Sequence, residues 1–396
     1  MIKKLGLVGL FVFLASALYA QNSTETKTEE GFQFTTIKEN PITSVKNQNR
    51  SSTCWSFSGL GLIESELLRM GKGEHDLSEM FIVHHTMVDR ATNYVRLQGA
   101  SSFSPGGSFY DVIYSIKHYG IVPQEAMEGI MYGDTAHVHG ELDAVAEGYV
   151  NAIAKGRHSK LSPVWKDGLV AIYDNYLGAC PETFTVKGKE YTPKSYAESL
   201  GIKADDYVSL TSYTHHPFYT QFSIEIQDNW RNGLSWNLPI DEFMEVFDYA
   251  IDKGFTIAWG SDVSEMGFTR NGIAVLPEME RTDLSGSDMA RWTGLSAADK
   301  REELTSKPGL EKEVTQEMRQ IAYDNWETTD DHGMLIYGKA KDQTGKEYFM
   351  VKNSWGTKSK YKGIWYASKA FVKYKTMNIL VHKDALPKNI AKKLGL

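Results

Sequence analysis

Cysteine is nearly absent from this 396-residue chain, which has only Cys54 and Cys180. A fold of this size therefore does not rest on a disulfide framework, even in a compartment that permits one. A single Cys54 to Cys180 bridge stays open as the alternative to two free thiols. Positive charge is not in excess either: 43 Lys and Arg stand against 50 Asp and Glu, for a formal charge of −7 and a pI near 5.9. That balance argues against a nucleic-acid partner, because neutralising phosphates needs a basic face. No apolar run reaches the ~20 residues needed to cross a membrane. The chain also lacks an internal repeat, a heptad pattern, a phosphate-cradling glycine loop and any motif that calls for a metal or cofactor. What it has is ordinary core material, 41% hydrophobic residues, enough at this length for two or three structural units.

The longest apolar run, Leu5 to Leu18, follows Lys3 and Lys4 and ends among small residues, with Ala17 and Ala20 as candidate cleavage points. This reads as a secretory signal peptide over residues 1–20, so the mature protein is expected in the periplasm or outside the cell, free of the membrane. A membrane anchor is the alternative, but the run is short for one. No cysteine follows it, which argues against a lipoprotein. Losing Lys3 and Lys4 would take the net charge from −7 to −9. Residues 21–31, polar and rich in Thr and Glu, are expected to form a flexible leader.

Further on, Leu62, Ile63, Leu67 and Met70 share a helical face, with Gly71 and Gly73 to stop the helix and Cys54 at its start. A second helix is expected where Ile240, Phe243, Met244, Phe247, Ala250 and Ile251 recur between Pro239 and Gly254, followed by a buried strand over 255–259. Alternation in 334–337 and 348–352, separated by Asp342-Gln343-Thr344-Gly345, predicts an antiparallel hairpin. A turn centred on those four residues sets His332 opposite Trp355, two residues from Asn353, unless a bulge shifts the register.

The chemistry is concentrated in these segments. A thiol attacks as its thiolate, which a helix N-terminus and an imidazolium both favour. Cys54 has the helix, and His332, in Asp331-His332-Gly333, is the best imidazole among eleven histidines. Asn353 could orient His332, and Trp355 could shield their hydrogen bond from water. The Cys54 backbone N–H and the Gln48 side chain, six residues upstream, could serve as donors to an oxyanion. Each residue alone has a packing or turn-capping explanation, whereas the set together is specific. Cys180 has no such setting and reads as an inert small residue.

The three blocks Gln48-Asn49-Arg50-Ser51-Ser52-Thr53-Cys54-Trp55-Ser56-Phe57, Asp331-His332-Gly333 and Asn353-Ser354-Trp355-Gly356 resemble the active-site blocks of papain-like cysteine peptidases, in order and in the Gln-to-Cys spacing. The first is similar to the form found in bleomycin hydrolase and aminopeptidase C. Pro105-Gly106-Gly107-Ser108, the segment 116–123 and Trp259-Gly260-Ser261-Asp262-Val263 resemble further parts of that subfamily. The resemblance spans roughly residues 42–387.

It implies an α+β, two-lobed papain fold, with a helical lobe carrying Cys54 and an antiparallel, β-barrel-like lobe carrying His332 and Asn353. The peptidase domain would cover 32–390, with a helical insertion over roughly 125–238 and a tail at 391–396. Peptides would bind between the lobes, against Gly106, Gly107, Ser108, Trp55 and Trp355, with Gly106 and Gly107 admitting a substrate backbone. No cofactor or metal is implied, and relatives associate the insertion with hexamers, so a homo-oligomer is possible.

In the subfamily a C-terminal arm in the cleft lets the terminal carboxylate bind the substrate's amine. Here the chain ends in the basic stretch Lys388-Asn389-Ile390-Ala391-Lys392-Lys393-Leu394-Gly395-Leu396. Three readings follow: an exported aminopeptidase, an endopeptidase with an open cleft, or a non-catalytic peptide-binding or assembly protein on a peptidase scaffold.

Overall fold

The computed structural model describes residues 31–396; the expected signal peptide and residues 21–30 of the leader lie outside the described residues. After strand β1 (Phe34–Glu39) the chain enters a helical region of α1 (Cys54–Arg69), α2 (Glu79–Arg96) and α3 (Phe109–Tyr119), then α4 (Gly140–Lys155) and α5 (Trp165–Leu177). A small hairpin of β2 (Phe184–Val186) and β3 (Lys189–Tyr191) leads to α6 (Pro193–Leu200).

Helix α1 is buried on nearly every side because it lies between two layers. Gly59 packs against Val112 of α3, and Gly61 faces Leu335 of the sheet. Leu60, Ile63 and Leu67 are fully buried, each contributing roughly 1.5–3 kcal/mol by leaving water. Met70, expected on the buried face, is instead the helix cap and exposed. The helix closes on Gly71 at φ +72°, with Lys72 N–H donating to Leu67 O and Gly71 N–H to Leu68 O.

The 125–238 segment, expected as a helical insertion, is helical only in its first part. It then supplies β4 (Tyr207–Thr211), β5 (Gln221–Ser223) and β6 (Leu234–Asn237) to the main sheet. These strands are three to five residues long, too short for alternation to declare them.

The remaining elements are α7 (Ile240–Asp252), β7 (Ile257–Ser261), β8 (Ile273–Ala274), α8 (Gly286–Gly294), α9 (Ala297–Ser306), α10 (Gln316–Asp324), β9 (His332–Asp342), β10 (Glu347–Lys352), β11 (Ile364–Ser368), α11 (Lys369–Lys375), β12 (Thr376–His382) and α12 (Lys388–Leu394). Ten strands form one mixed sheet in the order β5-β6-β4-β12-β7-β9-β10-β11-β8, with β1 also pairing β9. The order ends at β5 and β8 without closing, so the barrel-like sheet expected from the sequence is an open one. Two parallel pairs, β4 with β6 and β8 with β11, accompany the antiparallel ones.

Residues 391–396, expected as a tail, mostly continue α12. Ile390 and Leu394 are buried in the sheet-side core, and Lys393 Nζ reaches Glu242 at 2.7 Å.

The hairpin of β9 and β10 turns on Asp342, whose carbonyl accepts from Gly345 N–H at 3.0 Å. Its register slips once: Met350 faces Gly338 but Val351 faces Ile336, which leaves Tyr337 as a bulge. Beyond the bulge the pairing follows the offset expected from the sequence, and the His332 and Trp355 rings stack with centroids 4.7 Å apart.

Candidate active site

The first turn of α1 has no carboxylate, and its cap Thr53 makes no side-chain bond to it. Its leading N–H groups therefore present the positive end of the helix to whatever lies in front. Ser56 and Phe57 N–H both turn back to Thr53 O, while the Cys54 N–H donates to nothing among the described residues. The incoming loop reaches this point through left-handed turns at Asn49 (φ 47°) and Ser52 (φ 56°). It is held by Arg50 N–H on His137 O and His139 N–H on Arg50 O.

Cys54 opens onto a cleft of about 410 Å³ whose walls include Gln48, Trp55, Gly106, Gly107, Ser108, His332 and Trp355. Asn353 stands behind His332, almost fully buried. Its Oδ1 accepts from Ser354 N–H at 2.7 Å and lies 2.8 Å from His332 Nε2. The backbone donor fixes which end of the amide faces the ring, so Nε2 carries the proton and Nδ1 keeps its lone pair. Trp355, 39% exposed, covers the ring from the solvent side.

Asp331 does not touch His332. Its Oδ2 accepts from Val263 N–H at 3.2 Å and Ser264 N–H at 3.0 Å, pinning the mouth of β9 to the end of β7. Gly333 lets β9 pass close to α1: a Cβ there would lie 2.6 Å from Ser58 Oγ and 3.4 Å from Cys54 O.

Gln48 is buried, and its Oε1 accepts from Ser354 Oγ at 2.6 Å. That bond leaves the Gln48 amide nitrogen free to donate toward the cleft. Ser354 is a positioning residue the sequence reading passed over, although it lies inside the Asn353-Ser354-Trp355-Gly356 block. A second bond, Gln48 N–H to Ser354 O at 2.8 Å, ties the same two segments together.

Gly106 and Gly107 are explained first by internal packing. A Cβ on Gly106 would stand 2.0 Å from Asp228 Oδ2, and one on Gly107 would stand 2.7 Å from the Trp55 ring. The Trp55 indole N–H donates to Pro105 O at 3.2 Å. Ser108 is also committed internally, its N–H and hydroxyl both donating to Asp111.

Burial in the cleft disfavours charge on both partners. Burial pushes the Cys54 thiol up to about 12, opposed by backbone N–H groups of Gly333 and Trp55 and reinforced by the charges of Asp330 and Asp228. Burial lowers His332 to about 4, against the bond from Asn353. Burial thus works against the charged form of each group, and the proton on Nε2 leaves His332 Nδ1 able to take one.

Both cysteines are free, so no bridge competes for Cys54. Among the described residues two clusters have the makings of metal ligands, His84 with His85 and Cys180, and His215 with His216 and Glu225. Neither contributes to the walls of the Cys54 cleft.

The chain is similar to known proteins along almost its entire length. The model of the Peptidase C1-like family matches residues 13–395. Aminopeptidase G of Lactobacillus delbrueckii subsp. lactis is 23% identical over 89% of this chain and 83% of the relative. Aminopeptidase C of Streptococcus thermophilus is 24% identical over 86% of this chain and 81% of the relative. Among solved structures, PepW from Lactobacillus rhamnosis HN001 shares the fold with a TM-score of 0.66 at 20% identity, covering 91% of this chain and 84% of that one. A family match of this extent leaves one assignment: the chain belongs to the Peptidase C1-like family of papain-like cysteine peptidases.

Proposed function

We propose that the protein is an exported cysteine aminopeptidase that shortens peptides from their amino ends. The observation that carries the mechanism is the 2.8 Å bond between His332 and Asn353, formed where His332 shares a cleft with Cys54 at the head of α1. His332 Nδ1 takes the thiol proton as Cys54 Sγ attacks the peptide carbonyl. The resulting oxyanion is met by the Cys54 N–H and the Gln48 amide. Collapse gives a thioester and expels the amine, which leaves with the proton held by His332; water then attacks the thioester with His332 as base. Substrate class comes from the relatives, whose names are those of aminopeptidases. Export is proposed from Lys3, Lys4 and the apolar run to Leu18.

A digest of one peptide set with free and N-acetylated ends, read by product mass, tests this. Free peptides are expected to lose single residues stepwise, with their acetylated forms cut at least ~10-fold more slowly, as expected when an interaction with a charged group is lost. Internal cuts in both forms would identify an endopeptidase, and binding without hydrolysis would identify a scaffold protein. A mature mass starting at Leu18 or Gln21 tests the export half; retention of Met1 to Ala17 would reject it.

Ser354→Ala checks the oxyanion assignment. Without the hydroxyl the Gln48 amide loses its orientation, and kcat is expected to fall by roughly 3–10-fold, the worth of about one neutral hydrogen bond, with KM little changed. An unchanged kcat would remove Gln48 from the reaction.

A further inference from the structure

One charge in the cleft has no counter-charge. Asp330 lines it together with Cys54, His332, Gly106 and Asp228. Among the described residues its carboxylate accepts no hydrogen bond and pairs with no cation. Burial, then the neighbouring charges of Asp228 and Asp331, push its carboxyl up to about 7. Asp331 is satisfied by backbone N–H groups and by Thr329 Oγ1 at 2.8 Å.

Asp228 is neutralised through one oxygen only. Arg90, 1% exposed, reaches Asp228 Oδ1 through Nη1 at 3.3 Å and Nη2 at 3.4 Å, and Ser104 Oγ donates to the same atom at 3.4 Å. Arg90 is also engaged by Gly106 O at 2.6 Å. Asp228, Asp330 and Asp331 all border the cleft, and the one guanidinium at Asp228 leaves this wall with negative charge in excess.

Such a charge carries two costs. A carboxylate withdrawn from water without a partner is unfavourable in itself, and Asp330 and Asp228 are the charges that oppose a thiolate at Cys54. A bound cation would relieve both. None of the described residues provides one to Asp330, and the C-terminal helix lies elsewhere: no residue of 388–396 borders the cleft, and α12 is packed into the sheet-side core.

We propose that Asp330, with Asp228 beside it, receives the terminal ammonium of the peptide substrate and sets the enzyme's amino-end selectivity. This rests on the peptidase reading above. An ammonium has three donors, and the free acceptors facing it are the Asp330 carboxylate and Asp228 Oδ2. Binding neutralises the wall as Cys54 must give up its proton, so a substrate with a free amine promotes its own acylation and an acetylated one does not. Past Asp330 the cleft continues into a second hollow of about 710 Å³ that Glu225, Asp324 and Trp326 also border. A longer chain therefore meets no wall there, and selection is by charge.

The test compares wild type with Asp330→Asn on three fluorogenic substrates sharing one scissile residue: free amine, N-acetyl, and N-acetyl extended by an arginine. Wild type is expected to favour the free amine. In the variant that preference should fall by roughly 10–100-fold, the range for a hydrogen bond to a charged group, with the acetylated substrate cut as fast as before or faster. Asp330→Ser should behave alike, and iodoacetamide labelling of Cys54 in both variants reports an intact site. A preference left unchanged in the variants overturns the proposal while sparing the aminopeptidase reading. A wild type indifferent to acetylation sinks that reading as well. Preference for the arginine-extended substrate over the free amine, lost in the variants, would reassign Asp330 to a basic side chain and overturn the proposal.

Discussion

Cys54→Ala is expected to abolish peptide hydrolysis, with a loss on the order of 10⁶ in kcat where the assay reaches that far, the scale seen when a hydrolase loses the nucleophile on which its other groups act. The loss should be purely chemical. Cys54 is only partly buried, bridges to nothing, and sits at a helix start where alanine is well tolerated. Stability is expected to stay within ~1 kcal/mol of wild type in urea unfolding. Labelling by iodoacetamide should fall to the level of Cys180 alone, which lies outside the cleft and whose thiol burial also pushes up to about 12. Residual turnover above a trace would mean that another group attacks the carbonyl. His332 would then be left as base to a different nucleophile, and the placement of Gln48 and the Cys54 N–H around one oxyanion would lose its meaning. A variant that is inactive because it is unfolded is distinguished by its denaturation curve.

How far such chemistry can be read from a sequence depends on how local its physical cause is. Cys54 at a helix start was legible because the helix signal, from Leu62 to Gly71, lies within one segment. The approach of His332 to Trp355 was legible because one turn sets the register of a whole hairpin, and the bulge at Tyr337 moved it by a single residue without separating the rings. The bond from Ser354 to Gln48 joins residues 306 positions apart, and nothing in either segment announces it. The same holds for Arg90 and Asp228, 138 apart. Asp330 left a local trace in the Asp330-Asp331-His332 run, but which of the two carboxylates is left without a hydrogen-bond donor depends on where the end of β7 lies. Strands β4, β5 and β6 escaped because their pairing partners, not their own patterns, make them strands. The open edges of the sheet likewise follow from the pairing of distant strands, which a local pattern of alternation does not specify.

The largest loss of stability is expected at a residue with no catalytic role. Lys46 Nζ lies 2.9 Å from Glu64, 2.6 Å from Glu79 and 2.7 Å from Asp76. Glu64 and Glu79 are buried, and Glu64 also accepts from Thr43 Oγ1 and Leu77 N–H. Burial works against the charge on Lys46, but the three carboxylates outweigh it and hold the ammonium well above its ordinary range. Lys46→Met would leave two buried carboxylates without their cation, and removing one partner of such a cluster costs about 3–5 kcal/mol.

The loss should depend on pH in a defined direction. Burial raises Glu79 from 4.5 to about 7 even with Lys46 in place, so the folded protein holds this proton more tightly than the unfolded chain. Stability from that proton is complete below about 4.5 and is lost as pH rises through about 7. Without Lys46 protonation becomes still more favourable, so the variant's deficit should be smallest near pH 5 and largest near pH 8. Urea unfolding at both values measures it; a deficit independent of pH would mean that packing of the lysine stem, not its charge, is what matters. Adding Glu79→Gln to Lys46→Met should recover part of the loss at pH 8 and little at pH 5. The site also feels this cluster, because Lys46 O accepts from Gly356 N–H at 3.1 Å and Gln48 follows two residues later. Loss of the lysine should therefore loosen the loop that carries the oxyanion donor before it unfolds the chain, and activity should fail at a lower urea concentration than the global transition.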